Sequence, residues 1–193
     1  MNDSDIQDIP KFYDQLLIRC DEIGFSMPSD MYIGPFLKTL VASKPSGHFL
    51  ELGTGMSLSL AWMIDGMDKN SEITSVDYDQ QLVDIAKEYF SKDTRVEIVC
   101  QDGSQWVNRN LNKRYDLIFA DTWAGKYTEL DEVLNMLNVG GIYVIDDMNE
   151  QSNWPEGHAE KAKRLIQNLE KRKDFNLVKM NWSTGVILAT KIN

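Results

Sequence analysis

A chain of 193 residues with 42% hydrophobic and 26% charged residues has the balance of one soluble globular domain with a substantial core. Its formal net charge of -10 argues against DNA, RNA or an anionic membrane as the main partner, because phosphate binding needs clustered lysine and arginine. No apolar run is long enough to span a bilayer, and the acidic start Met1-Asn2-Asp3-Ser4-Asp5 lacks the basic and apolar regions of a signal peptide. Cys20 and Cys100 match no metal-binding spacing and read as free thiols of a cytoplasmic protein.

Tyr13, Leu16, Leu17 and Cys20 fall at helical spacing, as do Ile33, Phe36, Leu37, Leu40 and Val41, so two amphipathic helices open the chain. Gly24 and Met27-Pro28-Ser29-Asp30 separate them, with Ser29 or Asp30 as the second helix's N-cap. From His48 onward strands and helices alternate. His48 to Leu52 is an apolar strand running into a glycine-rich turn, followed by a helix from about Ser57 to Met67. Ile73–Val76 is the second strand, and Leu82, Ile85, Ala86, Tyr89 and Phe90 mark its helix. Val96–Val99 precedes a short helix from Ser104 to Leu111, and Tyr115–Ala120 precedes one marked by Leu130, Val133, Leu134 and Leu137. Gly140-Gly141 turns the chain into a fifth strand, Ile142–Ile145, and a charged helix runs from about Pro155 to Arg172. Two last strands around Ser183-Thr184-Gly185 form a hairpin. This order predicts a Rossmann-like, doubly wound α/β domain: a mostly parallel seven-stranded sheet, closed by an antiparallel hairpin. Residues 1–45 form an N-terminal helical extension and 46–193 the core of a single domain.

In such a sheet ligands bind outside the carboxyl ends of the strands, near the point where strand order reverses. Here those ends carry Glu51 to Ser57, Asp77, Asp102, Asp121 and Asp146-Asp147, so a polar or acidic group stands at each. Gly53 and Gly55 let the backbone approach a ligand closely, and the helix that follows offers free N–H groups. Asp77 comes at the interval at which an acid captures ribose hydroxyls. A structural turn with a capping Asp is the plain alternative. The dinucleotide fingerprint wants a third glycine where this chain has Leu58, which disfavours a nicotinamide-dependent oxidoreductase.

Glu51-Leu52-Gly53-Thr54-Gly55 instead resembles the first motif of the class I S-adenosylmethionine-dependent methyltransferases, with Ser57 in place of the usual third glycine. The resemblance implies that Glu51, Gly53, Thr54, Gly55 and Ser59 serve the amino-acid end of the cofactor. It places Asp77 and Tyr78 at the ribose, and Asp102, Gly103, Ser104 and Gln105 at the adenine. Leu117 to Tyr127, with Asp121-Thr122-Trp123-Ala124-Gly125-Lys126-Tyr127 at its end, is similar to the matching stretch of catechol O-methyltransferase, which adds Trp123 to the adenine contacts and Asp121 near the sulfonium. By the same resemblance, shared with caffeoyl-CoA O-methyltransferases, Asp121, Asp146 and Asp147 stand at divalent-metal positions, whose oxygen ligands suit magnesium or calcium; the plain alternative is that Asp121 only faces the sulfonium and Asp146-Asp147 only caps a loop. The catalytic lysine of the catechol enzyme falls at Ala124, which cannot accept a proton; Lys126 lies two positions on.

Met148 to His158 is rich in polar and aromatic groups and reads as the acceptor region, with Trp154 as a wall. His158 is a candidate base, against the plain alternative of a surface residue at the helix start. The expected function is O-methylation of a small molecule, with Asp121, Lys126 and His158 as candidate catalytic groups. A cofactor-binding protein without methyl transfer is the other alternative. The N-terminal helices could cover the site or form a homodimer contact.

Overall fold

The computed structural model describes residues 2, 5–151 and 154–193; Ser152 and Asn153 of the expected acceptor segment lie outside them. Seven strands form one sheet: β1 (His48–Leu52), β2 (Glu72–Asp77), β3 (Val96–Cys100), β4 (Tyr115–Ala120), β5 (Leu137–Ile145), β6 (Phe175–Met180) and β7 (Val186–Lys191). Their order is β3-β2-β1-β4-β5-β7-β6. The first five are parallel, while β7 runs antiparallel to both β5 and β6. Strand order reverses between β1 and β4, which sets the crevice of a doubly wound sheet at their carboxyl ends.

Period-two alternation sorts the side chains of the central strands into two cores, one on each face. Phe49, Leu117, Phe119, Ile142 and Val144 face one layer. Leu50, Leu52, Ile118, Ala120, Tyr143 and Ile145 face the other. The first layer is completed by α1 (Tyr13–Ile23), α2 (Ile33–Ala42), α3 (Leu58–Gly66) and α4 (Gln80–Phe90), and the second by α5 (Gly103–Arg109), α6 (Leu130–Asn135) and α7 (His158–Glu170). The N-terminal helices thus share the first core rather than merely extending from it: Leu16 and Leu37 are fully buried, and the Tyr13 ring packs edge-on to Trp62 at 5.7 Å. Helix α2 approaches α3 so closely that a Cβ on Gly34 would lie 2.2 Å from the Trp62 indole nitrogen. Gly34→Ala is therefore expected to destabilise by about 1–3 kcal/mol through overpacking. That corresponds to a melting temperature lower by about 2–12 °C in a thermal scan.

Three element boundaries differ from the sequence expectation. Strand β5 begins at Leu137, not Ile142: Tyr115 pairs with Leu137 and Leu117 with Ile142, and the extra residues bulge around Gly140, whose φ is +80°. Helix α6 accordingly stops at Asn135. Helix α7 starts at His158 after a left-handed Gly157, so Pro155 lies in the preceding turn instead of at the first helical position. Helix α2 is preceded by Tyr32. Of the two expected caps, Asp30 accepts the Tyr32 N–H with its carboxylate and the Ile33 N–H with its carbonyl, while the Ser29 hydroxyl is directed elsewhere. Cys20 and Cys100 are both free. Among the described residues no helix is long and apolar enough to cross a membrane.

Candidate functional site

The loop from β1 into α3 is built for close backbone approach. Gly53 has φ +99° and donates its N–H to the Val76 carbonyl; a Cβ there would sit 2.8 Å from the Asp121 carbonyl oxygen. The loops leaving β1 and β4 therefore touch, and only glycine fits between them. Gly55 donates its N–H to Asp77 Oδ2 at 2.9 Å, and Asp77 Oδ1 accepts from the Asp79 N–H at 3.0 Å. Both carboxylate oxygens of Asp77 are thus oriented by backbone, with lone pairs left over for a ligand.

Beneath the loop lies Glu51, fully buried, with Ser59 donating to one carboxyl oxygen and Ser75 to the other; Ser75 in turn contacts the Thr54 hydroxyl at 2.6 Å. Burial dominates over these hydrogen bonds and pushes the Glu51 pKa up from 4.5 to about 8, so the side chain is neutral near pH 7. A carboxyl whose folded pKa exceeds its unfolded one stabilises fully below the unfolded value and loses that contribution as pH rises through the folded value. The apo protein is therefore expected to lose stability between about pH 4.5 and about pH 8. Glu51→Gln, which mimics the neutral form, should flatten this dependence by roughly 4 kcal/mol. Thermal melts across that pH range, compared between wild type and variant, check it; parallel pH profiles would contradict it.

A cavity of about 470 Å³ opens over this loop, of a size for a nucleoside-bearing cofactor. Its walls include Gly53, Thr54 and Gly55 from the first loop, Asp77 and Tyr78 after β2, Gly103 at the start of α5, Asp121 and Thr122 after β4, and Asp147 after β5. Phe25, Met27 and Ser29 of the segment between α1 and α2 close one side, and the Ser29 hydroxyl donates to Asp121 Oδ2 at 3.4 Å. Spacing marks that segment as a linker and cap; its place as a wall follows from long-range packing, which the local sequence does not report.

Other expected contacts stand apart from the cavity. Asp102 caps α5 by accepting the Gln105 N–H, and the Ser104 hydroxyl is taken up by Glu129 and Thr128, so neither Ser104 nor Gln105 lines the cavity. Trp123 is turned outward and is half exposed. It packs edge-on to Tyr127 and His158, and the Lys161 ammonium lies 4.2 Å from its ring centroid. Gly103 and Thr122, their chain neighbours, line the cavity in their place. His158 is also outside the lining. It packs at a tilt against Trp154, ring centroids 4.4 Å apart, and shares a 3.0 Å hydrogen bond between Nε2 and the Tyr127 hydroxyl. Burial, then Lys126 and Lys161, lower its pKa and favour neutral imidazole.

At the ends of β4 and β5 stand three carboxylates. Asp121 is largely buried, and its pKa is raised, chiefly by burial; the Lys126 ammonium, 3.6 Å away, acts in the opposite direction. Asp146 is buried, and burial together with Asp121 pushes its pKa up to about 7 against hydrogen bonds from the Thr184 hydroxyl and the Asp147 N–H. Asp147 lines the cavity from a left-handed backbone, φ +55°. Thr184 belongs to the β6–β7 hairpin loop, which is tied to the end of β5 by the Met148 and Asn149 N–H groups; the sequence offered no pointer to this role.

The sequence profile of the O-methyltransferase family matches residues 19–192. The chain belongs to that family. A Mycobacterium leprae protein that bears an O-methyltransferase name is 27% identical over 107 residues, 53% of this chain and 47% of its own length. The chain spans about half the length of the curated relatives it matches. Among solved structures, the Bacillus cereus O-methyltransferase in complex with SAH has a TM-score of 0.80 at 17% identity, covering 96% of this chain and 93% of that one. TomG of Streptomyces achromogenes, an O-methyltransferase involved in tomaymycin synthesis and solved with SAM, has a TM-score of 0.80 at 15% identity, covering 98% and 93%. These likenesses establish the O-methyltransferase family's fold for this chain.

The divalent-metal site that the resemblance implied does not fit the residues present. Among the described residues no group of three or more His, Cys, Asp or Glu side chains is placed to hold a metal ion. Asp146 is engaged by Thr184 and the Asp147 N–H, and Asp121 faces an ammonium group.

Proposed function

We propose that this protein binds S-adenosylmethionine in the cavity above Gly53 and transfers its methyl group to a hydroxyl of a small molecule. The observation that carries the reading is Asp77 holding the Gly55 N–H at the mouth of a cavity placed at the switch point of the sheet. Glycine loop, helix start and oriented acid stand in the relation a nucleoside cofactor requires. Family membership supports methyl transfer, and the acidic walls suit a cofactor carrying an ammonium and a sulfonium.

In the proposed reaction the acceptor oxygen attacks the methyl carbon and the C–S bond breaks. The bonding pair stays on sulfur, leaving S-adenosylhomocysteine and a methyl ether. Alignment and exclusion of water supply most of the rate. Asp121, on the cavity wall, takes the acceptor's proton, while Ser29 and its neighbours cover the site. Ala124 cannot substitute for it: its side chain is buried against Gly103. The test is incubation with methyl-labelled cofactor across catechols, phenolic acids and amines, with and without magnesium. Label in a methyl ether is the expected outcome. Tight cofactor binding with no methylated acceptor would favour a binding protein, and label on amines alone would overturn the acceptor class.

A further inference from the structure

We propose that the Lys126 ammonium is the fixed internal cation that holds Asp121 at the acidic strand ends, so that Asp121, Asp146 and Asp147 take no divalent ion. The proposal takes the site's location from the reading above, but its test needs neither cofactor nor methyl transfer.

Three carboxylates at adjacent strand ends repel one another, and a positive charge among them relieves that repulsion. Lys126 supplies one. It is the only buried lysine or arginine among the described residues, at 6% exposure, and its Nζ lies 3.6 Å from Asp121 Oδ1. Burying an ammonium is costly unless an opposite charge receives it, so the pairing is a requirement of the placement.

The loop after β4 is shaped to deliver this side chain. The Trp123 carbonyl accepts the N–H groups of Lys126, Tyr127 and Thr128, closing a tight turn. Gly125 takes φ +82° at its centre; a Cβ there would lie 2.9 Å from Leu52, and its carbonyl accepts the Tyr143 hydroxyl. Ala124 is rolled into the core, its Cβ directed at Gly103. The turn therefore buries position 124 and presents position 126 to the carboxylates. Lys126 is thus a positioning residue: it is buried beside Asp121 and engages the carboxylate an ion would need.

The test uses Mn²⁺ as probe, followed by the electron paramagnetic resonance signal of the free ion as the full chain is titrated in. Wild type is expected to bind no Mn²⁺ at millimolar concentration. Lys126→Met, and Lys126→Gln as a more soluble second variant, release Asp121 to turn toward Asp146 and Asp147 and are expected to gain binding of one Mn²⁺ per chain. Adding Asp146→Asn should abolish that gain. Circular dichroism reports whether each variant is folded. Wild-type Mn²⁺ binding that Asp121→Asn removes would overturn the proposal, and so would a folded Lys126 variant that binds none. Should neither variant fold, the wild-type titration decides alone. Failure of cofactor binding would sink the methyltransferase reading without touching these outcomes.

Discussion

Asp77→Ala is expected to weaken binding of S-adenosylmethionine and S-adenosylhomocysteine by at least about 100-fold. Two contributions are lost together. The first is the pair of bonds from a carboxylate to the ligand's vicinal hydroxyls, each worth about 1.5–3 kcal/mol when one partner is charged. The second is the anchor on the Gly55 N–H, without which the loop is free to leave its ligand-ready shape. A total of about 3–5 kcal/mol corresponds to a factor of roughly 100–4000 in affinity. Asp77→Asn keeps one acceptor oxygen and should fall between, at about tenfold. Titration calorimetry with both ligands measures the series, and a loss below about threefold for the alanine variant would remove Asp77 from the ribose site.

Gly53→Ala is the second large effect. The residue sits at φ +99°, a backbone region that L side chains rarely adopt, and the new methyl group would meet the Asp121 carbonyl at 2.8 Å. Strain and collision act on the same contact, the one that joins the loops leaving β1 and β4. Relief requires the two loops to separate, which deforms the cavity floor. The expected outcome is a stability loss of about 2–4 kcal/mol together with loss of measurable cofactor binding. Thermal melting and calorimetry on the same preparation check both. A variant of unchanged melting temperature with intact binding would show that the loops do not meet as described.

The fold was legible because its strands are short apolar runs that end in acids. Phe49 to Leu52 and Leu117 to Ala120 leave little choice but buried parallel strands, and the positions of Asp77 and Asp121 follow from where those runs stop. The start of β5 was not legible. Leu137 to Gly141 carries helix-compatible residues and a glycine pair, and only pairing of Leu137 with Tyr115 makes it strand. Within the site, the loop of Gly53 and the acids at the strand ends could be named from local pattern, whereas side-chain direction could not. Ser29 meets Asp121 from 92 positions away, and no local signal reports that. Trp123 faces outward because Lys161 and His158 receive it, both on a helix that comes later in the chain. The exchange of Ala124 for Lys126 as the residue facing the carboxylates depends on a turn held by Tyr143 and Gly103. Spacing along the loop counts residues, and it does not count the turn.

The most direct test of the cofactor assignment is calorimetric titration of the full chain with S-adenosylmethionine, S-adenosylhomocysteine and NAD in parallel. Leu58 is buried at the position where a dinucleotide fingerprint keeps its third glycine for close helix–strand packing, so the loop departs from that fingerprint. Saturable one-to-one binding of S-adenosylmethionine and S-adenosylhomocysteine is expected, and none of NAD. Saturable binding of NAD with no heat from S-adenosylmethionine would contradict it.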